Sequence, residues 1–227
     1  MRRSLHFLPL TLPFFLALAA LLGLAITLLQ IGAIEYAYER LGVPREYVFS
    51  LLALSLVGSY VNVPLWELPE ERVVAARTVR SFGVHYVVPV VNERPGTVVA
   101  INVGGAIVPA LLSIYLVVKM GIYLKALLGI AAVAAVVHRV ARPVPGLGIG
   151  VPALLPPFLA SVVALALAPG AAAPLAYLSG TVGTLVGADL LNINKIRGLG
   201  APVASIGGAG TFDGIFLTGI LAVLLTS

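Results

Sequence analysis

The sequence contains no cysteine, and only 10% of its 227 residues are charged, where a soluble chain has about a quarter. Without cysteine, the chain has no disulfide framework, no thiolate nucleophile and no cysteine metal site. The three histidines are scattered and form no zinc-binding pattern, so we expect no metal and no cofactor. The shortage of charge excludes an ordinary soluble domain and a disordered chain. The net charge of +5 does not indicate a nucleic-acid partner, because basic residues are normal in the cytoplasmic loops of membrane proteins.

Hydrophobic residues make up 60% of the chain and are arranged in long uncharged runs. A bilayer core of about 30 Å needs about 20 apolar residues in a helix. Seven windows meet this requirement, so the sequence predicts an all-α membrane protein, a bundle of about seven transmembrane helices within a single polytopic domain of residues 1–227. The windows are Leu10–Ile31, Tyr47–Trp66, Val98–Val118, Ile122–Val140, Val151–Ala168, Pro174–Ile193 and Val203–Leu225.

The basic residues predict the orientation of this bundle. With the N-terminus in the cytoplasm, ten of the fourteen Lys and Arg residues fall on the cytoplasmic side and four on the other side. This is the bias that membrane proteins normally show. We therefore expect a multi-pass protein of the cell membrane, surrounded by membrane lipids.

One long connection, residues 67–96, separates the second and third windows and is predicted to be cytoplasmic or re-entrant. Its first part, Glu70–Arg80, has the polar and apolar spacing of an amphipathic helix. Its second part, Phe82–Val91, is rich in β-branched residues and predicts either a short strand or a re-entrant segment.

Aspartate occurs only twice, as Asp189 and Asp213, and both lie inside predicted spans, whereas the seven glutamates lie in connections or at span edges. A carboxylate in the middle of a membrane helix costs roughly 2.5–3.5 kcal/mol on insertion scales, so it indicates a functional site. The two windows are consecutive and antiparallel, which allows the carboxyl groups to face each other at similar depth. Asn192 lies one turn from Asp189 and is predicted to hydrogen-bond it, while Gly210 and Gly214 leave bare backbone beside Asp213.

Small residues mark the opposite side of the sixth window. At 100° per residue, Ser179, Gly183 and Gly187 cluster away from Asp189. Such a stripe lets a neighbouring helix pack closely in a membrane. We expect another helix of the bundle to lie against it.

The segment Gly210-Thr211-Phe212-Asp213-Gly214-Ile215-Phe216 resembles the G-x-G-D motif of the intramembrane aspartyl proteases, the presenilin and signal-peptide-peptidase group. In that group, one aspartate ends an outside-to-inside helix and its partner lies in the next helix, and Asp189 and Asp213 match this order and direction. Phe212 and Ala188 differ from the glycine and tyrosine of the group. The resemblance implies that Asp189 and Asp213 are catalytic, one as base and one as acid, with a transmembrane peptide as substrate.

Two further resemblances are carried by short motifs. Pro152-Ala153-Leu154 is similar to the Pro-Ala-Leu motif that lies beside the active site of the same proteases, but here it precedes both aspartates instead of following them. Asn102-Val103-Gly104-Gly105, together with Gly187-Ala188-Asp189 and the Gly208–Gly214 stretch, resembles an uncharacterised family of prokaryotic membrane proteins of unknown function, and this resemblance implies no activity.

The polar residues also allow two other interpretations. Asn102, Gly104 and Gly105 would break the third window near its start, and unwound backbone at membrane depth is typical of transporter sites. Together with the two aspartates they would form an oxygen-ligand site for a cation, as in a cation- or proton-coupled transporter. Alternatively, the aspartates pair with basic residues or hydroxyl groups, or remain protonated, and only fix the helix packing.

Overall fold

The computed structural model describes residues 11–68, 71–81, 84–94, 96–144, 148–196, 202–208 and 214–226. Its α-helices are α1 (Thr11–Arg40), α2 (Arg45–Gly58), α3 (Val108–Met120), α4 (Tyr123–Val140), α5 (Leu155–Leu167), α6 (Ala172–Thr184) and α7 (Gly214–Leu224). Its strands are β1 (Asn62–Leu68), β2 (Glu71–Ser81), β3 (Val84–Arg94), β4 (Thr97–Asn102), β5 (Arg142–Val144), β6 (Gly148–Gly150) and β7 (Val203–Ile206). Two π-helical turns, Val103–Ile107 and Leu185–Asp189, precede α3 and follow α6, and 3₁₀ turns span Pro169–Ala171 and Leu190–Ile196.

The described part of the chain is mostly helical, and four of its helical segments are long and apolar enough to cross a membrane. Two further α-helices, α5 and α7, are apolar but shorter. These lengths agree with the prediction of a helical membrane protein. The four long segments are Ala19–Arg40, Val103–Met120, Tyr123–Val140 and Pro169–Ile196.

The prediction of an all-α bundle is only partly confirmed, because three of the seven windows combine a helix with a strand. In the second window α2 ends at Gly58 and β1 follows; the third window begins as β4, and the last begins as β7. These strands form a three-stranded sheet of order β1-β4-β7, with β4 antiparallel to β1 and parallel to β7. Hydropathy averaged over about 20 residues does not separate a short buried strand from a helix segment, and the β-branched residues of β4 favour the strand.

The long connection forms a hairpin. β2 pairs with β3 in antiparallel register from Glu71 opposite Arg94 to Ser81 opposite Val84. Of the two alternatives for the second part, a short strand or a re-entrant segment, the structure has a strand, and the amphipathic helix predicted for Glu70–Arg80 is wrong. The first part is itself rich in β-branched residues, and it lies next in sequence to a partner strand of equal length, so cross-strand pairing overrides its helical periodicity.

Helix α6 forms the centre of the bundle. Twelve of its thirteen residues are buried, and α3, α4, α5 and α7 all pack around it. Its small-residue stripe faces α4, as predicted. A Cβ atom on Gly183 would lie 2.8 Å from Cβ of Val133, and one on Gly187 would lie 2.5 Å from the carbonyl oxygen of Ala134. These close approaches hold the helical segment that carries Asp189 against α4.

Candidate functional site

A cavity of about 520 Å³ lies beside the C-terminal part of the helical segment Pro169–Ile196. Strands β6 and β7 and the N-terminal ends of α5 and α7 form the rest of its wall. Its wall is mostly apolar and includes few groups able to bind a ligand by hydrogen bonds. A concave, largely apolar site with a few polar groups is the usual form of a binding or active site. The residues that line the cavity include Pro152, Ala153, Thr184, Asp189, Ser205 and Gly214.

Asp189 is partly buried on this wall, at the last residue of the second π-turn. Its Oδ2 atom accepts a hydrogen bond from the backbone N–H of Gly207 at 2.9 Å. Among the side chains that the structure describes, the ion pairs all involve Arg45, and none of them reaches Asp189. A carboxylate that is bound by one backbone donor and open to a cavity has acceptor positions left for a ligand or a water molecule.

The π-turn decides which residues share this wall with Asp189. In a regular α-helix, five residues turn by about 500°, which would place residue 184 about 140° away from residue 189. Bonds in a π-turn run from residue i to residue i+5, so five residues complete roughly one turn. Thr184 and Asp189 consequently both line the cavity. The hydroxyl oxygen of Thr184 is enclosed and has no hydrogen-bond partner in the described part of the chain.

Asn192 does not bond Asp189, contrary to the prediction. It is completely buried, and its Nδ2 atom donates to the carbonyl oxygens of Gly187 and Ala188, at 2.8 and 3.0 Å. A π-turn that passes into a 3₁₀ turn leaves such carbonyl groups without their α-helical donors, and the amide of Asn192 replaces those donors. Asn192 therefore stabilises the irregular turn behind Asp189. Its Oδ1 atom has no partner among the described residues.

The second aspartate of the predicted pair, Asp213, lies outside the described residues, as does Gly210. Gly214 is the first residue of α7, and it lines the cavity together with Ile215. A Cβ atom on Gly214 would contact nothing within 4 Å, so this wall is open at Gly214. Gly214 thus lines the same cavity as Asp189.

Both polar atoms of the Asn102 side chain form hydrogen bonds within the protein. It is buried, its Oδ1 atom accepts from the N–H of Gly105 at 2.7 Å, and its Nδ2 atom donates to the carbonyl oxygen of Ser59 at 2.7 Å. Nδ2 also donates to Oδ1 of Asn62 at 3.0 Å, an atom that accepts from the hydroxyl of Ser205 at 2.5 Å. This network joins β1, β4 and β7 and caps the first π-turn.

Gly104 is required by close packing. A Cβ atom on it would lie only 1.9 Å from the carbonyl oxygen of Ser55 and 2.4 Å from the backbone nitrogen of Ser59. The first π-turn therefore lies directly against the end of α2. The helix break predicted at Asn102, Gly104 and Gly105 is present, but these residues bond and pack within the protein.

Gly207 connects the two π-turns. Its φ of +86° is in the left-handed region, its N–H bonds Asp189, and a Cβ atom on it would lie 2.6 Å from Cβ of Ala106 in the first π-turn. Gly207 therefore contacts both the end of the predicted Asn102–Gly105 segment and the segment that carries Asp189. The two sets of residues are neighbours in space, but only the second lines the cavity.

Sequence reasoning missed Thr184 as a site residue. An isolated threonine in an apolar helix carries no distinctive signal, and its alignment with Asp189 depends on a π-turn that helical periodicity does not predict. Within the described residues, no group of three His, Cys, Asp or Glu side chains is placed to hold a metal ion.

These features define a mostly helical protein with apolar helices of membrane-spanning length, broken by π-turns and short strands around a carboxylate. The chain belongs to the family described as protein of unknown function (DUF1614), whose model matches residues 56–225. No curated protein and no solved structure matches the chain. The matched region contains both aspartates, both π-turns and the whole cavity wall, and it leaves out α1 and most of α2.

Proposed function

We propose that the protein is an intramembrane aspartyl endopeptidase and that the cavity is its active site, with Asp189 and Asp213 as the catalytic residues. One observation carries the proposal. Three separate segments contribute to the same cavity: Pro152 and Ala153 of the Pro-Ala-Leu motif, Asp189, and Gly214 and Ile215 of the segment that resembles the G-x-G-D motif of the presenilin and signal-peptide-peptidase group. Pro-Ala-Leu precedes the aspartates in sequence, yet its first two residues line the same cavity as Asp189.

The chemistry needs one ionised and one protonated carboxyl group. Two carboxyl groups held close together in an apolar site share a proton, because both cannot be charged at short range. The ionised group takes a proton from water while the water oxygen bonds to the peptide carbonyl carbon. The C–N bond then breaks as the amide nitrogen receives a proton from the other carboxyl group. The products are a carboxylic acid and an amine, and the two carboxyl groups exchange protonation states.

The cavity also offers a strand edge to an extended peptide. β7 lies at the edge of its sheet, and Val203 and Ser205 line the cavity. The N–H of Val98 donates to the carbonyl oxygen of Pro202 at 3.0 Å, so residues 202, 204 and 206 direct their backbone groups toward β4. Because these groups alternate along a strand, Val203 and Ser205 present theirs on the other side, where the carbonyl oxygen of Ser205 already accepts one hydrogen bond, from the N–H of Gly208 at 3.2 Å. An added peptide strand would bond there, close to Asp189.

The test uses the full-length protein in lipid nanodiscs with synthetic transmembrane peptides, between pH 4 and 8. Asp189→Asn and Asp213→Asn should each reduce cleavage by about 10²- to 10⁴-fold, the range that general acid–base groups contribute. Glu46→Gln, which removes an exposed carboxylate in the first turn of α2, is the matched control and should cleave like the wild type. Absence of cleavage by the wild type, or full cleavage by either aspartate variant, would overturn the proposal.

A second candidate is a cation- or proton-coupled transporter that uses the same aspartates. The supporting observation is the pair of π-turns beside a carboxylate, because transporters bind ions at interrupted helices. In that case a cation should raise the thermal stability of the wild type and not that of Asp189→Asn. Proteoliposomes should take up the cation, and no peptide should be cleaved. This combination of results would favour the transporter over the protease.

We further propose that the protein is a multi-pass protein of the cell membrane with a bundle of about seven spans and a cytoplasmic N-terminus. The four long apolar segments and the bias of basic residues support this arrangement. Because the chain has no cysteine, a single introduced cysteine reports its own position without background. Arg197→Cys should react with a membrane-impermeant thiol reagent from the cytoplasmic side only. Labelling from the outside only would reverse the topology.

A further inference from the structure

Thr184 differs from the other buried hydroxyl residues of the helices around it. Ser113, Ser179 and Thr181 each donate a hydrogen bond to the carbonyl oxygen four residues earlier, at 2.8, 2.6 and 2.8 Å. This is the ordinary way in which a hydroxyl group is satisfied inside an apolar helix. The hydroxyl of Thr184 makes no such bond, and it has no partner in the described part of the chain.

The location of Thr184 suggests that its hydroxyl group binds a ligand. Thr184 is 6% exposed and lies on the wall of the cavity that contains Asp189, directly before the π-turn that places both residues on one side. A threonine in a helix has two accessible χ1 rotamers, and the change from one to the other moves the hydroxyl group to a different staggered position. The hydroxyl can therefore turn to a ligand in the cavity without any movement of the backbone.

We propose that the hydroxyl of Thr184 donates a hydrogen bond to a backbone carbonyl oxygen of the bound peptide, which makes Thr184 a substrate-binding residue; this role rests on the proposed protease function. A hydroxyl group is a donor as well as an acceptor, whereas an ionised carboxylate is an acceptor only. Thr184 thus supplies a donor on the wall where Asp189 supplies an acceptor. A peptide group needs both kinds of partner when it leaves water for an apolar cavity.

The experiment compares two valine substitutions on the same helix. Thr184→Val keeps the shape of the side chain and removes the hydroxyl, while Thr184→Ser keeps the hydroxyl. Thr181→Val is the matched control, because the Thr181 hydroxyl bonds the carbonyl oxygen of Tyr177 and lies 3.1 Å from the hydroxyl of Ser113. Each variant is purified in nanodiscs, and its melting temperature and its kcat and KM for a Leu/Ala-rich transmembrane peptide with a central Gly-Gly pair are measured.

We expect Thr184→Val to raise KM by about 3- to 10-fold with kcat within about twofold, the loss expected for one neutral hydrogen bond made equally before and during the reaction. Thr184→Ser should stay within about twofold of the wild type in KM. Thr184→Val should also melt at the same temperature as the wild type or higher, because it removes a buried hydroxyl that has no partner. Thr181→Val should melt lower and leave KM unchanged.

Two results would overturn the role of Thr184 alone: a wild-type KM in Thr184→Val, or a melting temperature that falls as far as that of Thr181→Val. The second result would mean that the hydroxyl has a structural partner. Failure of the wild type to cleave is a failure of the proposed protease, and the affinity of the same peptide for Asp189→Asn then decides the role of Thr184. Weaker binding by the double variant Thr184→Val/Asp189→Asn supports it; equal binding, or no binding by either protein, excludes it.

Discussion

The two π-turns of this protein are built from similar residues but have opposite surroundings. The first, Val103–Ile107, is capped by Asn102, whose polar atoms all bond the protein, and its Gly104 lies against the backbone of α2. The second, Leu185–Asp189, lines a cavity, ends in a carboxylate with one backbone donor, and follows a threonine whose hydroxyl has no partner in the described chain.

This difference distinguishes a π-turn whose polar groups are hydrogen-bonded within the protein from one that lies at the proposed site. Irregular backbone in an apolar environment is stable only when its polar groups find partners, and at the first π-turn they do. At the second π-turn, Asp189 and Thr184 line a cavity, and the enclosed hydroxyl oxygen of Thr184 has no hydrogen-bond partner among the described residues. Buried polar groups without partners cost free energy, so their presence beside a cavity indicates function more strongly than the glycines do.

The largest expected effect on stability is at Gly104, in the first π-turn. Gly104→Ala would place a Cβ atom 1.9 Å from a carbonyl oxygen of α2, and backbone cannot move aside as a side chain can. We expect the free energy of unfolding to fall by more than about 3 kcal/mol, beyond the usual range for overpacking. Thermal denaturation in detergent micelles would measure this. Gly170→Ala, where a Cβ atom meets nothing within 4 Å, is the control and should melt like the wild type.

A second prediction compares the two buried asparagines. Asn102→Ala removes three hydrogen bonds and leaves the N–H of Gly105 and the carbonyl of Ser59 unpaired, so it should destabilise the protein by about 3 kcal/mol. Asn192→Ala removes two bonds but also an unpartnered oxygen, and should cost about 1 kcal/mol. Equal melting temperatures for the two variants would contradict the inference that the first π-turn depends more strongly on its asparagine than the second.

The smallest expected effect on stability is at Asp189. In Asp189→Asn the amide oxygen still accepts the bond from Gly207, and a neutral group is easier to bury than a carboxylate. We expect the free energy of unfolding to stay within about 0.5 kcal/mol or to rise. Asp189→Ala should lose about 1 kcal/mol, because it leaves the N–H of Gly207 without its acceptor. A large loss of stability in Asp189→Asn would show instead that the carboxylate holds the fold together.

Much of the helical scaffold follows from local composition. The run Ile122–Val140 predicts a span within one residue of α4, because its charged residues are confined to Lys125 near one end and Arg139 near the other. The stripe of Ser179, Gly183 and Gly187 predicted a close helix contact, and α4 lies there. Three other windows were predicted less well, because hydropathy measures burial in general and not the hydrogen-bond pattern that decides between a helix and a strand.

The sequence by itself determined that the protein is apolar and mostly helical, that its helices pack through small residues, and that Asp189 is an acidic residue within an apolar segment. These properties depend on composition and on spacing along one segment. Only the tertiary structure decided that β7 pairs with β4, more than 100 residues earlier in the chain, that the second π-turn places Thr184 and Asp189 on one wall, and that Pro152 lies in the same cavity. Each of these depends on contacts between segments distant in sequence, and the backbone adopts its irregular turns to make those contacts.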